Sequence, residues 1–245
     1  PTDPAALWTE VKKHATGVND GVLVQTVRGT DGKTRMVAYI GGTTGEWGLT
    51  ADDNQGIFEN AVSRLGIPKP DQVSAIQAAI QQCNTSTACG SVDEILLVGY
   101  SQGGMDAQNI AFWNAAGVPV AGVVTFGSPI IAINPAVTSL HIQDSADGVV
   151  AVFQDLPAAV LPINPVTLAL LKGPKTAADL RGEVYSGRST SPIDSPLPWL
   201  GVHANDQTYA DLSQDFWATP ADQYSTQKAV IDRFLGGTLI GQWPA

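Results

Sequence analysis

The stretch DEILLVGYSQGGMDAQNIAFW, residues 93–113, decides how this chain folds. From Ile95 to Val98 it is apolar at every position rather than at alternate ones, the pattern of a strand covered on both faces. From about Gln102 to Ala116 it reads as a helix, stopped by Gly117 in the role of a left-handed cap. Between the two lies Gly99-Tyr100-Ser101-Gln102-Gly103. A Gly-rich packing turn would carry the same letters, because G-x-S-x-G is a short pattern. Its place directly after a buried strand and directly ahead of a helix is what gives it weight.

Working outward, VLVQTV (22–27) and RMVAYI (35–40) read as strands joined by the turn residues of RGTDGKT. VAGVVTFG (120–127) and TSLHIQ (138–143) read as two more. Helices are predicted at 5–15, from about Ala51 to Leu65, and from Asp71 to Gln82. Another is predicted over TPADQYSTQKAVIDRFLGG, with Thr219 as N-cap, Pro220 at the first helical position and Gly236 past the end. Buried strands alternating with helices predict an α/β sandwich, a mostly parallel central sheet with helices on both faces. No repeat, low-complexity run or linker divides the chain, so a single domain is expected over 1–245. In such a sheet the active site lies at the carboxyl ends of the strands.

A serine on a sharp strand-to-helix turn brings neighbouring backbone close, and glycines two positions to either side leave the room. The turn also sets the serine at a helix N-terminus, where the amide of Gln102 is a candidate oxyanion donor. A serine hydroxyl needs a base to act as a nucleophile at neutral pH. The sequence holds three histidines. His14 reads as a surface residue of the first helix, and His141 as a structural residue within a strand. His203, in a loop of WLGVHANDQTY, is the expected base. The acid should follow a strand between Ser101 and His203. SLHIQDSADGVV supplies Asp144 and Asp147 there, with Asp147 favoured because it stands further into the loop. The second oxyanion donor is expected from GGTTG after the second strand, at Thr43, with Thr44 close behind.

The composition narrows the partners. A formal net charge of -10 argues against nucleic acid and against anionic membrane patches. No apolar run is long enough for a transmembrane helix. The chain begins at Pro1 without a basic-then-apolar leader, so a mature or trimmed form is expected. Cys83 and Cys89, the only cysteines, are expected to close a small surface loop as a disulfide, which implies export; without a histidine nearby they do not read as a metal site.

GYSQGG, then VVTFGSP, then IQDSADGVV, then VHANDQTY together resemble the serine esterases and lipases of the α/β-hydrolase superfamily. The Gly-Tyr-Ser-Gln-Gly elbow is similar to that of cutinase-like enzymes and of the mycolyl-ester-cleaving lysins of mycobacterial phages. The TFGSP strand is more like that of triglyceride lipases. The resemblance implies Ser101 as nucleophile, Asp147 as acid, His203 as base and the amides of Gln102 and Thr43 as the oxyanion hole. It implies no metal and no cofactor. Val150 stands where cutinases carry a cysteine, and acid and base lie 56 positions apart, which leaves room for an insertion that cutinases lack. Within it, the apolar stretch 153–174 is broken by Pro157, Pro162, Pro165 and Pro174. A cap or lid over about 152–200 is expected, with Leu161, Ile163, Val166 and Leu170 offering an acyl chain somewhere to lie; an irregular packing loop is the competing reading. The expectation is a monomeric, secreted or cell-envelope ester hydrolase acting on an acyl or lipid ester, with transient contact to a lipid interface. The same triad would serve an acyltransferase, and a silent hydrolase fold would serve as a binding module.

Overall fold

The computed structural model describes residues 1, 3–13, 21–42, 63, 66–131, 134–155, 184–190 and 198–244. A strand that is apolar on both faces needs a packed layer on each, and β3 (Glu94–Tyr100) has both. Leu96, Val98 and Tyr100 point into one core, while Ile95 and Leu97 point into the other. The strand is the fourth of seven in the order β6-β5-β4-β3-β2-β1-β7. Its neighbours are β2 (Thr34–Ile40) and β4 (Val120–Phe126), followed outward by β5 (Thr138–Asp144) and β6 (Val184–Gly187). β2 through β6 run parallel. β1 (Val22–Arg28) lies antiparallel between β2 and β7 (Thr238–Pro244). The sheet is therefore mixed and mostly parallel, an α/β arrangement.

Helices cover both faces. On one, α1 (Pro4–Lys13), α6 (Asp206–Ala218) and α7 (Ser225–Asp232) bury Leu7, Trp8, Tyr209, Leu212, Phe216 and Ile231 against the Leu96 side. On the other, α2 (Pro70–Thr85) and α3 (Gln102–Phe112) bury Ile76, Ala79, Ile80, Ala107 and Ile110 against the Ile95 side. Two shorter helices, α4 (Gly148–Asp155) and α5 (Pro198–Ala204), follow β5 and precede α6. No helix among the described residues is long and apolar enough to cross a membrane.

Cys83 and Cys89 form a disulfide, with their Cα atoms 5.2 Å apart. Both cysteines are buried, although residues between them are exposed. The carbonyl of Cys89 accepts from Thr34 Oγ1 at 2.9 Å and from an Arg28 guanidinium nitrogen at 2.8 Å, which pins the loop to the β1–β2 hairpin.

Three expectations need correcting. Thr219 does not start a helix; its hydroxyl donates to the Phe216 carbonyl at 2.6 Å and closes α6. α7 begins only at Ser225, after Tyr224 in the left-handed region (φ 54°). α3 ends at Phe112 rather than near Ala116, because Asn114 (φ 50°) and Gly117 (φ 84°) turn the chain and the Trp113 indole donates to the Gly66 carbonyl at 2.5 Å. β6 and β7 complete the sheet edges and were not foreseen. β6 is four residues long and half-exposed, and β7 contains a glycine and ends in proline, so neither has the run of apolar residues that marks a strand. The helix predicted from about Ala51 to Leu65 lies, apart from Ser63, outside the described residues, as does the segment 156–183.

Candidate active site

The carboxyl end of β3 delivers Ser101 into a single left-handed turn, with φ 53° and ψ −121°. For a residue with a Cβ such a conformation costs on the order of 1–3 kcal/mol and persists only where the surroundings enforce it. The flanking glycines are part of that enforcement. A Cβ on Gly99 would strike the Gly103 carbonyl, and one on Gly103 would strike the carbonyls of Ile40 and Gly41. The amide of Ser101 donates to the Phe126 carbonyl at 3.0 Å, tying the elbow to the end of β4.

Ser101 Oγ lies 2.9 Å from His203 Nε2, and His203 Nδ1 lies 2.8 Å from Asp147 Oδ2. The three side chains come from positions far apart in the chain and form one continuous line. All are nearly enclosed, with exposures of 9% for Ser101, 7% for His203 and 1% for Asp147. His203 sits in the last turn of α5, not in a loop as the sequence suggested. Its backbone carbonyl accepts from the Tyr100 hydroxyl at 2.7 Å, and its ring stacks on the Tyr100 ring with centroids 5.1 Å apart. The residue before the serine therefore holds the histidine through both its backbone carbonyl and its ring face.

The two aspartates divide the work of one loop. Asp147 stands just ahead of α4, where Oδ1 accepts from the amides of Val149 (2.9 Å) and Val150 (3.3 Å) in the manner of a helix cap. That leaves Oδ2 facing His203, and the Tyr209 hydroxyl donates to the same oxygen. Asp144 turns away from the histidine. Its oxygens accept from the amides of Ala146 (2.8 Å) and Ser189 (2.7 Å), which shape the loop and tie β5 to the chain beyond β6. Its carbonyl accepts from the Asp147 amide at 3.0 Å.

Gln102 opens α3 directly after Ser101, so its amide stands at the positive end of that helix. Its side chain is buried and reaches Ser63 Oγ at 3.5 Å. Thr43 lies outside the described residues, as do Thr44, Leu161, Ile163, Val166 and Leu170. The chain that leads to Thr43 does pass the elbow: a Cβ on Gly42 would sit 2.8 Å from Tyr100 Cδ1 and 3.2 Å from Ser101 Cβ. His141 is fully buried in β5, with Nδ1 2.8 Å from Thr125 Oγ1, away from the serine. His14 lies outside the described residues. Among the described residues, no three His, Cys, Asp or Glu side chains converge as metal ligands would.

The sequence reading assigned no role to Tyr209, Tyr100 or Trp8. Trp8 of α1 packs edge-on against Tyr100 (5.1 Å between centroids) and tilted against Tyr209 (5.2 Å), and its indole donates to the Asp206 carbonyl at 2.6 Å. Burial, then the charge of Asp147, holds both tyrosine phenols above their ordinary range, so both stay neutral donors. Tyr209 was visible only as the last letter of VHANDQTY, six positions after His203, and no periodicity marks it as more than a core residue.

No protein-family profile matches the chain, and no curated protein does either.

Proposed function

We propose that the chain is a serine hydrolase of the α/β-hydrolase type, cleaving carboxylic esters through an acyl-enzyme. The observation that carries this reading is the unbroken line Ser101 Oγ–His203 Nε2, His203 Nδ1–Asp147 Oδ2 at 2.9 and 2.8 Å, set at the carboxyl edge of the sheet on a serine held at positive φ. A surface serine that served only packing would have no reason to occupy a strained turn opposite a buried imidazole.

In this reading Ser101 Oγ attacks the ester carbonyl carbon as His203 Nε2 takes its proton, and Asp147 stabilises the resulting imidazolium. The Gln102 amide, at the first position of α3, donates to the oxyanion, and Thr43 is the proposed second donor. His203 returns the proton to the departing alcohol, and a water then attacks the acyl-enzyme with His203 again as base. The elbow's similarity to cutinase-like enzymes and phage lysins, together with the expected lid over about 152–200, favours an acyl or lipid ester. The Cys83–Cys89 disulfide supports an extracytoplasmic location. The proposed protein acts as a monomer without a cofactor.

Hydrolysis of p-nitrophenyl esters of graded chain length by the chain and by Ser101→Ala tests the proposal. The substitution should lower kcat by about 10,000-fold or more. Equal rates for the two would refute it.

A further inference from the structure

We propose that Tyr209 is a positioning residue for the acid–base pair: its phenol donates to Asp147 Oδ2, the oxygen that also accepts from His203 Nδ1, and so sets how tightly Asp147 holds the protonated imidazole. This rests on the hydrolase reading of Ser101.

Asp147 has two oxygens and four donors around it. Oδ1 is occupied by the amides of Val149 and Val150, in the first turn of α4. Oδ2 is shared between the imidazole and the phenol. A carboxylate oxygen with a second donor carries less negative charge toward the first, so its attraction for the imidazolium falls. The acid thereby orients His203 without retaining the proton that the departing alcohol requires. The Tyr209 proton stays on its own oxygen throughout; protons move only through His203 Nε2, from Ser101 to the departing alcohol and then from water back to Ser101.

The phenol is fixed in this role by its surroundings. Tyr209 is fully buried in α6. Its ring leans on Trp8 and on Phe126, the latter with centroids 6.4 Å apart. Its hydroxyl fills the space beside Gly127, which has φ 53°, and a Cβ on that glycine would stand 2.6 Å from the phenol oxygen. α6 is itself held in place at its start, where Asn205 Oδ1 accepts from the Gln207 amide at 2.8 Å and the Asp206 carbonyl accepts from Trp8. The other titratable groups around the pair among the described residues are Tyr100 on β3, bonded to the His203 carbonyl, and Asp144 at the end of β5, bonded to backbone amides. Further out, Asp206 on α6 pairs with Lys12 of α1 at 3.5 Å, and Lys12 lies 4.5 Å from the Tyr100 ring centroid. Tyr100 meets the pair through the carbonyl and ring of His203 and Asp144 through the Asp147 amide; Tyr209 meets the Asp147 carboxylate itself.

The test compares the full chain with Tyr209→Phe and with a protein carrying 3-fluorotyrosine at position 209 alone. Phenylalanine removes the donor and keeps the ring. Fluorination makes the phenol a stronger donor in nearly the same volume, which keeps the question answerable if Tyr209→Phe fails to fold. Two readouts are taken: the acid limb of the pH profile of kcat/KM, and the pH titration of the His203 ring protons by NMR. Tyr209→Phe should move both midpoints to higher pH by about half to one unit, and fluorination should move them to lower pH. A purely structural role would give no shift, or the same direction in both proteins, and either result overturns the assignment. If none of the proteins hydrolyses esters yet the NMR midpoints move in opposite directions, the hydrolase reading fails and the coupling of Tyr209 to the pair stands.

Discussion

Asp144 and Asp147 stand three positions apart, and donors of different kinds saturate their carboxylates. Asp144 is bonded to backbone amides on both oxygens, whereas Asp147 keeps one oxygen for side chains. The two substitutions to asparagine should therefore separate cleanly. In Asp147→Asn the amide NH2 can point at Nδ1 and force the ring proton onto Nε2, the nitrogen that must accept from Ser101. kcat should fall by about 10,000-fold, and the loss of charge-assisted bonds from Val149, Val150 and Tyr209 should cost about 1–3 kcal/mol of stability. Asp144→Asn loses charge-assisted bonds within the loop, at a cost of about 1–3 kcal/mol, and should keep kcat within about tenfold. Ester kinetics and urea denaturation on both variants check this, and equal losses of activity would contradict the division. At this scale the sequence was informative where residue types are scarce. Three histidines and a strand-to-helix serine left few combinations. Tyr209 stayed hidden because nothing local distinguishes a buried tyrosine that packs from one that also donates to an acid.

At the scale of elements, α3 is fixed from behind by a polar cluster within an otherwise apolar layer. Asp106, one turn after Gln102, is fully buried and pairs with Lys69 Nζ at 3.0 Å. It also accepts from Ser63 Oγ at 2.5 Å and from Gln72 Nε2 at 3.1 Å. Asn109, a turn further on, donates to the Ser63 carbonyl at 2.7 Å. The helix that follows Ser101 is thus tied to the start of α2 and to Ser63. Removing the carboxylate takes from the buried Lys69 its Asp106 ion pair, so Asp106→Ala should cost about 3–5 kcal/mol, whereas Asp106→Leu combined with Lys69→Met should cost clearly less. Burial raises the Asp106 carboxyl above its ordinary value of 3.8. The native state then holds this proton more firmly than the unfolded chain, and its contribution to stability falls as pH rises from the ordinary value through the raised one. Denaturation of the wild type and of Asp106→Asn across that interval should show the wild-type advantage shrinking with pH; a constant difference would argue against the raised value. Punctuation revealed α2 and α3: Pro70 opens the first, and the second follows directly on the buried strand and is stopped before Gly117. It misplaced Thr219, because a hydroxyl followed by proline reads equally as the end of one helix or the start of the next.

Across the whole molecule, the central strands β1 to β5 and their mostly parallel arrangement were legible, since each is a short, largely apolar run set between helices or turns. The edges were not. β7 comes from the end of the chain to pair with β1, a contact between distant residues that no local pattern announces. The net charge of -10 is a property of the same scale, and it bears on where the proposed hydrolase can work. A protein so charged approaches an anionic surface against a repulsion that salt screens over a Debye length of about 10 Å at 0.1 M. A dissolved ester carries no such surface. Hydrolysis of a lipid ester dispersed in anionic vesicles should therefore rise as salt increases from about 0.01 to 0.2 M. The same ester in zwitterionic vesicles, and a water-soluble p-nitrophenyl ester, should change little over that range. If the rate in anionic vesicles were flat or fell with salt, a local cationic patch rather than the total charge would govern the approach to lipid.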